Sequence, residues 1–147
     1  MKRELITLMA FIGMMSTVNA QKSAVYAPDG IAVNGYDAVA FFTQAKPVKG
    51  SADNSFRWDG ANWLFSSKAD LESFKRSPEK YAPQYGGYCA YGAAQGHKAS
   101  VQADTWSIVD NKLYFNYNLK VKELWSKNRG AFIDSANKNW IQLKDKE

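Results

Sequence analysis

Cys89 is the sole cysteine of the 147-residue chain and stands in Tyr85-Gly86-Gly87-Tyr88-Cys89-Ala90-Tyr91-Gly92. A thiolate is both a nucleophile and a soft-metal ligand, and the start of a helix lowers a thiol's pKa from its usual value of about 8.5. If Gly86-Gly87 opens a helix, the sulfur lies in the first turn beside orphan N–H groups. The glycines would then let a ligand or partner approach the backbone. The flanking tyrosines would form a partly apolar pocket. The plain alternative is packing, because free cysteine is among the most buried residue types and behaves as a small hydrophobe. One cysteine excludes an internal disulfide and leaves a dithiol oxidoreductase without its resolving partner. Single-cysteine peroxide reduction with an external thiol stays open.

His97 is the sole histidine, eight residues beyond Cys89 and next to Gly96. Thiolate plus imidazole suits Cu(I) or Zn(II), yet two ligands make a poor site. Asp37 or Asp104 would complete it. The four methionines all fall in the first fifteen residues. The alternative for His97 is an exposed loop position after a helix-ending glycine. A papain-like Cys–His nucleophile needs an orienting Asn or Asp, for which Asn116, Asn118 and Asp37 are available, but no such local signature surrounds Cys89. Asp37, following Gly35-Tyr36, reads first as a turn cap. The sequence displays no paired carboxylates, phosphate loop or HExxH pattern.

Residues 1–20 carry the marks of a signal peptide. Lys2 and Arg3 precede an apolar stretch over residues 5–15, and Val18-Asn19-Ala20 offers a cleavage site. The expectation is a single domain over residues 21–147 in the periplasm or secreted. No later segment is apolar enough to span a bilayer. Loss of Lys2, Arg3 and Glu4 leaves 17 basic and 13 acidic residues, a mild net +4. The basic residues near the C-terminus alternate with acids as on a solvated helix face, which argues against nucleic acid. Aromatic residues make up 14% of the chain, including five tryptophans, enough to build a core without staples.

The expected elements give an α+β fold of antiparallel hairpins packed against helices, with a long C-terminal helix. Residues 35–42 read as a turn running into an apolar strand, and residues 45–54 as a surface loop. Ser55-Phe56-Arg57-Trp58, Asp59-Gly60 and Asn62-Trp63-Leu64-Phe65 spell a hairpin. Ser67 and Asp70 match a capping box, with Leu71 and Phe74 on the helix's inner face and Ser77-Pro78 as its stop. A short helix through Ala94 ends at Gly96. A second hairpin turns at Asp110-Asn111-Lys112. Asn118 caps the last helix, whose apolar stripe is Val121, Leu124, Trp125, Phe132, Ile133, Ala136 and Trp140, with Gly130 as its weak point.

Taken together, Asn34-Gly35-Tyr36-Asp37-Ala38-Val39-Ala40-Phe41-Phe42, the run from Trp58 to Ser67, Ser77-Pro78-Glu79-Lys80-Tyr81-Ala82-Pro83-Gln84-Tyr85-Gly86-Gly87-Tyr88-Cys89-Ala90, and the run from Trp106 to Tyr117 resemble the YHS domain family, in its exported bacterial branch. Short YHS modules in copper-transport proteins carry cysteines at positions that correspond here to Ala40, Phe65 and Ala69, so their metal binding does not transfer. In the branch this chain resembles, the Gly-Gly-Tyr-Cys motif sometimes carries selenocysteine, which implies a working chalcogen at Cys89. The leading expectation is a module binding a soft metal ion, Cu or Zn, through Cys89 with His97 as helper. The alternatives are a thiol redox enzyme acting on peroxide or a small thiol, and a structural or interaction domain with an inert Cys89.

Overall fold

A computed structural model describes residues 23–146; the signal-peptide expectation for residues 1–20 lies outside them. Two antiparallel hairpins and six helices form an α+β fold among the described residues. In the first hairpin, β1 (Ser51–Trp58) pairs with β2 (Ala61–Phe65), setting Phe56 opposite Trp63 and Trp58 opposite Ala61. Asp59 and Gly60 both take positive φ, as a two-residue loop matched to strand twist requires. Asp110 and Asn111 do the same between β3 (Ser107–Val109) and β4 (Lys112–Tyr114).

Two expectations are corrected in this half. The apolar run at residues 39–42 is not a strand; it enters helix α1 (Ala40–Thr43). Asp37 Oδ1 accepts the N–H groups of Val39 (2.9 Å) and Ala40 (3.2 Å) and turns the chain into the helix. A short apolar run has no period to separate the two outcomes. The polar stretch at residues 45–54 is also not all loop. β1 starts at Ser51, and a register shift between Ser51 and Ser55 hides the pairing from the side-chain pattern.

Helix α2 (Lys68–Arg76) is capped by Ser67, whose hydroxyl accepts Asp70 N–H at 3.1 Å. Phe74 on its inner face is enclosed by Phe56, Trp58, Trp63 and Phe65. The single-turn α3 (Pro78–Tyr81) follows, then α4 (Ala90–Ala94). The C-terminal helix is broken, though at Asn128 rather than Gly130. α5 (Leu119–Lys127) ends there and α6 (Arg129–Leu143) begins. Asn118 Oδ1 caps α5 by accepting Val121 N–H at 2.9 Å. The break lets Trp125 bury fully against Tyr114 while α6 packs on α4 through Ala136. Leu124, expected on the buried stripe, is instead 42% exposed.

One hydrophobic cluster gathers Phe41, Trp63, Phe65, Phe74, Leu113 and Phe115, and includes Cys89. A second joins Tyr85, Ala90, Ala93, Tyr114, Trp125 and Ala136. No helix among the described residues is long and apolar enough to cross a membrane.

Candidate functional site

Cys89 is positioned by two left-handed turns that lock onto one another. Val33, Asn34 and Gly35 have φ of 50°, 55° and 79°; Tyr85, Gly86 and Gly87 have 58°, 63° and 88°. The segment from Ala24 to Tyr26 lies against both. Tyr26 N–H donates to Gly86 carbonyl at 2.8 Å, and Val33 N–H donates to Tyr26 carbonyl at 2.9 Å. A Cβ on Gly86 would stand 1.7 Å from Ala24 carbonyl oxygen, and one on Gly87 would stand 3.3 Å from Val33 Cγ2. Gly86 therefore admits the chain's own backbone at Ala24, and Gly87 the side chains of Pro83 and Val33. The space expected to let a ligand or partner approach the backbone is taken, beside these glycines, by the chain itself. Nor does the pair open the helix: residues 84–87 form a separate tight turn, and Cys89 is the residue that caps α4.

Backbone bonds fix Cys89 on both sides. Its N–H donates to Ala99 carbonyl at 3.0 Å, and Ala90 N–H donates to Phe115 carbonyl at 2.8 Å. The sulfur is 1% exposed at residue level and accepts N–H groups from Gly92 (3.4 Å) and Tyr117 (3.2 Å). The thiol donates toward Asn116 Oδ1 at 3.6 Å, and that oxygen also accepts Tyr91 N–H at 3.1 Å. Asn116 is itself fully buried. Thr105 Oγ1 accepts its N–H at 2.8 Å and donates to Gln102 carbonyl at 2.6 Å. The Asn116 Nδ2 group is buried without a partner.

Two opposed effects act on the thiol. Burial pushes its pKa up, and the N–H groups of Gly92, Tyr117 and Tyr91 pull it down; burial is the larger. α4 is a single short turn of helix, so its dipole adds little. The sulfur is thus an enclosed thiol whose burial works against the thiolate.

The remaining candidates are dispersed. His97 is exposed, and its N–H donates to Gly92 carbonyl at 3.0 Å. Its Nε2 lies against Gly92, 3.4 Å from where a Cβ would stand. Asp104 is exposed on the turn at residues 103–105 and borders a different hollow with Asn34, Tyr36 and Lys49. Asp37 is committed to caps. Besides Val39 and Ala40, it accepts Ser66 N–H at 2.8 Å and Ser66 Oγ–H at 2.7 Å. Asn118 caps α5, so of the orienting residues weighed beside Cys89 only Asn116 reaches the sulfur. Among the described residues, no group of three His, Cys, Asp or Glu could hold a metal ion.

Sequence reasoning missed a carboxyl pair. Asp70, in the first turn of α2, stands beside the buried Asp37 that precedes α1, and burial, with the neighbouring Asp37 second, pushes its pKa up to about 6. The 33-residue separation leaves no local signal for it. Also missed was a cleft between the 82–86 segment and α6. Two adjoining hollows of about 470 and 140 Å³ share Trp58, Ala82, Pro83, Gly86 and Trp140. Cys89 lines neither.

Comparison with protein-family models, curated proteins and solved structures returned no match.

Proposed function

We propose that this chain is a non-catalytic YHS-type binding domain of the cell envelope in which Cys89 is a structural helix cap. The carrying observation is the sulfur's own position: enclosed, accepting Gly92 and Tyr117 N–H, and tied by the main chain to Ala99 and Phe115. A sulfur so placed does what an N-cap oxygen does, satisfying donors that would otherwise be orphaned. Metal capture through Cys89 and His97 has less support, because the thiol is closed off while the imidazole sits at the surface. The test is alkylation of Cys89 by iodoacetamide across a urea titration. The expected labelling follows global unfolding; labelling of the native chain at the rate of a free thiol overturns the reading.

One observation favours the redox alternative. The two N–H groups at the sulfur are donors that an oxygen added to Sγ would use, and Asn116, whose Oδ1 lies 3.6 Å from Sγ, has an Nδ2 with no partner. Hydrogen peroxide would convert the thiol to sulfenic acid with release of water. Trapping of the native chain with dimedone after peroxide treatment decides between the two: an adduct at Cys89 supports redox use, and its absence supports the cap.

A further inference from the structure

The cleft beside α6 has the composition of a ligand site rather than of a packing flaw. Trp58 and Trp140 border both of its hollows. Each indole is half-buried, and Lys98 Nζ also lies over the Trp140 ring, 5.7 Å from its centroid. Trp58 meets Trp63 and Phe74 edgewise at 5.7 and 5.6 Å; Trp140 meets Tyr85 and Tyr88 at 6.1 and 6.2 Å. Around the larger hollow stand Glu79, Gln84, Lys112 and Asn137. The hollow is open to solvent and holds about 470 Å³, room for a ligand bound at the surface.

The polar groups define the ligand. Glu79 accepts, Lys112 donates, and the amides of Gln84 and Asn137 do both. Asn137 is held in place by Tyr85, whose hydroxyl donates to Asn137 Oδ1 at 2.9 Å and leaves Nδ2 for a ligand. Burial pushes the Tyr85 phenol up, so it stays a donor. The charges at the rim balance: Glu79 against Lys112 in the larger hollow, Asp59 against Lys144 in the smaller. An anion or cation finds no field of one sign to select it. What fits is a molecule that is uncharged, has an apolar face for an indole, and carries hydroxyls that both donate and accept.

We infer that this cleft, bounded by Trp58 and Trp140 and edged by Glu79, Gln84, Lys112 and Asn137, binds an uncharged oligosaccharide. The inference rests on reading the chain as a binding domain, and its test does not involve Cys89, so failure of one is distinguishable from failure of the other.

The experiment is a ¹⁵N–¹H NMR titration of the whole chain with maltotriose, cellotriose and triacetylchitotriose, each to about 10 mM, which reaches millimolar Kd values. At least one should give saturable shifts at Gln84, Lys112 and the Trp140 indole N–H. Trp140→Ala should weaken that binding at least tenfold. Trp140 also packs on Tyr85 and Tyr88, so the exposed Asn137→Ala provides a milder variant, which leaves the Tyr85 hydroxyl the Ile133 carbonyl at 3.4 Å and should weaken binding several-fold. The inference is overturned by no saturable shift with any of the three sugars, by shifts that map elsewhere, by an equal response to sulfate or trialanine, or by affinity unchanged in both variants.

Discussion

Asp70, in the first turn of α2, stands beside Asp37, which is fully buried. Asp37 already accepts from the Val39, Ala40 and Ser66 donors, while burial and the neighbouring Asp37 act against the charged form of Asp70. Its pKa rises from 3.8 to about 6. A raised folded-state pKa means that the stabilisation is complete below 3.8 and is lost as pH climbs through 6. A two-unit shift corresponds to about 3 kcal/mol. Solvent screening of this half-buried carboxyl reduces the expectation to about 1 kcal/mol. Asp70→Asn should therefore raise the urea midpoint at pH 7.5 and leave it nearly unchanged at pH 3.5. Equal effects at both pH values would show that Asp70 does not titrate with a raised pKa.

Gly86 carries the sharpest steric prediction. Its would-be Cβ coincides with Ala24 carbonyl oxygen, and its φ is +63°. Gly86→Ala should cost more than about 4 kcal/mol, enough to prevent folding of a marginally stable domain. Gly96→Ala provides the contrast. That site also has positive φ, 88°, but open space around it, and a loss of about 1 kcal/mol is expected. Thermal melts of the two variants should differ widely; similar melts would contradict the clamp.

Cys89→Ala deletes the acceptor of two buried N–H groups and should cost about 2–3 kcal/mol. Cys89→Ser retains an acceptor in a slightly smaller side chain and should cost less. Denaturant titration gives the order. A variant order of Ala above Ser would mean that the sulfur matters as a hydrophobe and not as a cap.

Lys98 joins the two ends of the described chain. Its Nζ donates to the carbonyls of Lys144 (2.9 Å) and Lys146 (2.6 Å), reaches Ser23 carbonyl at 3.5 Å, and lies over the Tyr88 ring at 5.3 Å. A cation on the last carbonyls of a helix also complements its dipole. Lys98→Met should speed hydrogen exchange in the last turn of α6 and lower stability by about 1 kcal/mol. Unchanged exchange there would assign the end of α6 to other contacts.

How far the sequence can be read follows from the range of each interaction. The two hairpins and the Ser67 and Asn118 caps were legible because dipeptide turns and cap side chains act within four residues. Helix α1 was not, since the short apolar run at residues 39–42 has no period that separates a helix from a strand. The motif around Cys89 was visible and its meaning was not. Gly86-Gly87 looks like an open approach until Ala24 is brought onto it. The sulfur looks reactive until Asn116 and Tyr117 close over it. The cleft residues lie on separate elements from Trp58 to Trp140, with no pattern in one dimension.

The clamping of residues 24–26 between the turns at 33–35 and 85–87 sets an order of assembly. The beginning of the domain cannot settle until a stretch about sixty positions downstream has formed its own turn, a high-contact-order closure that slows folding. Until then Val25 and the underside of Tyr88 stay uncovered, so the interval before closure is when the nascent domain is most exposed to proteases and to self-association.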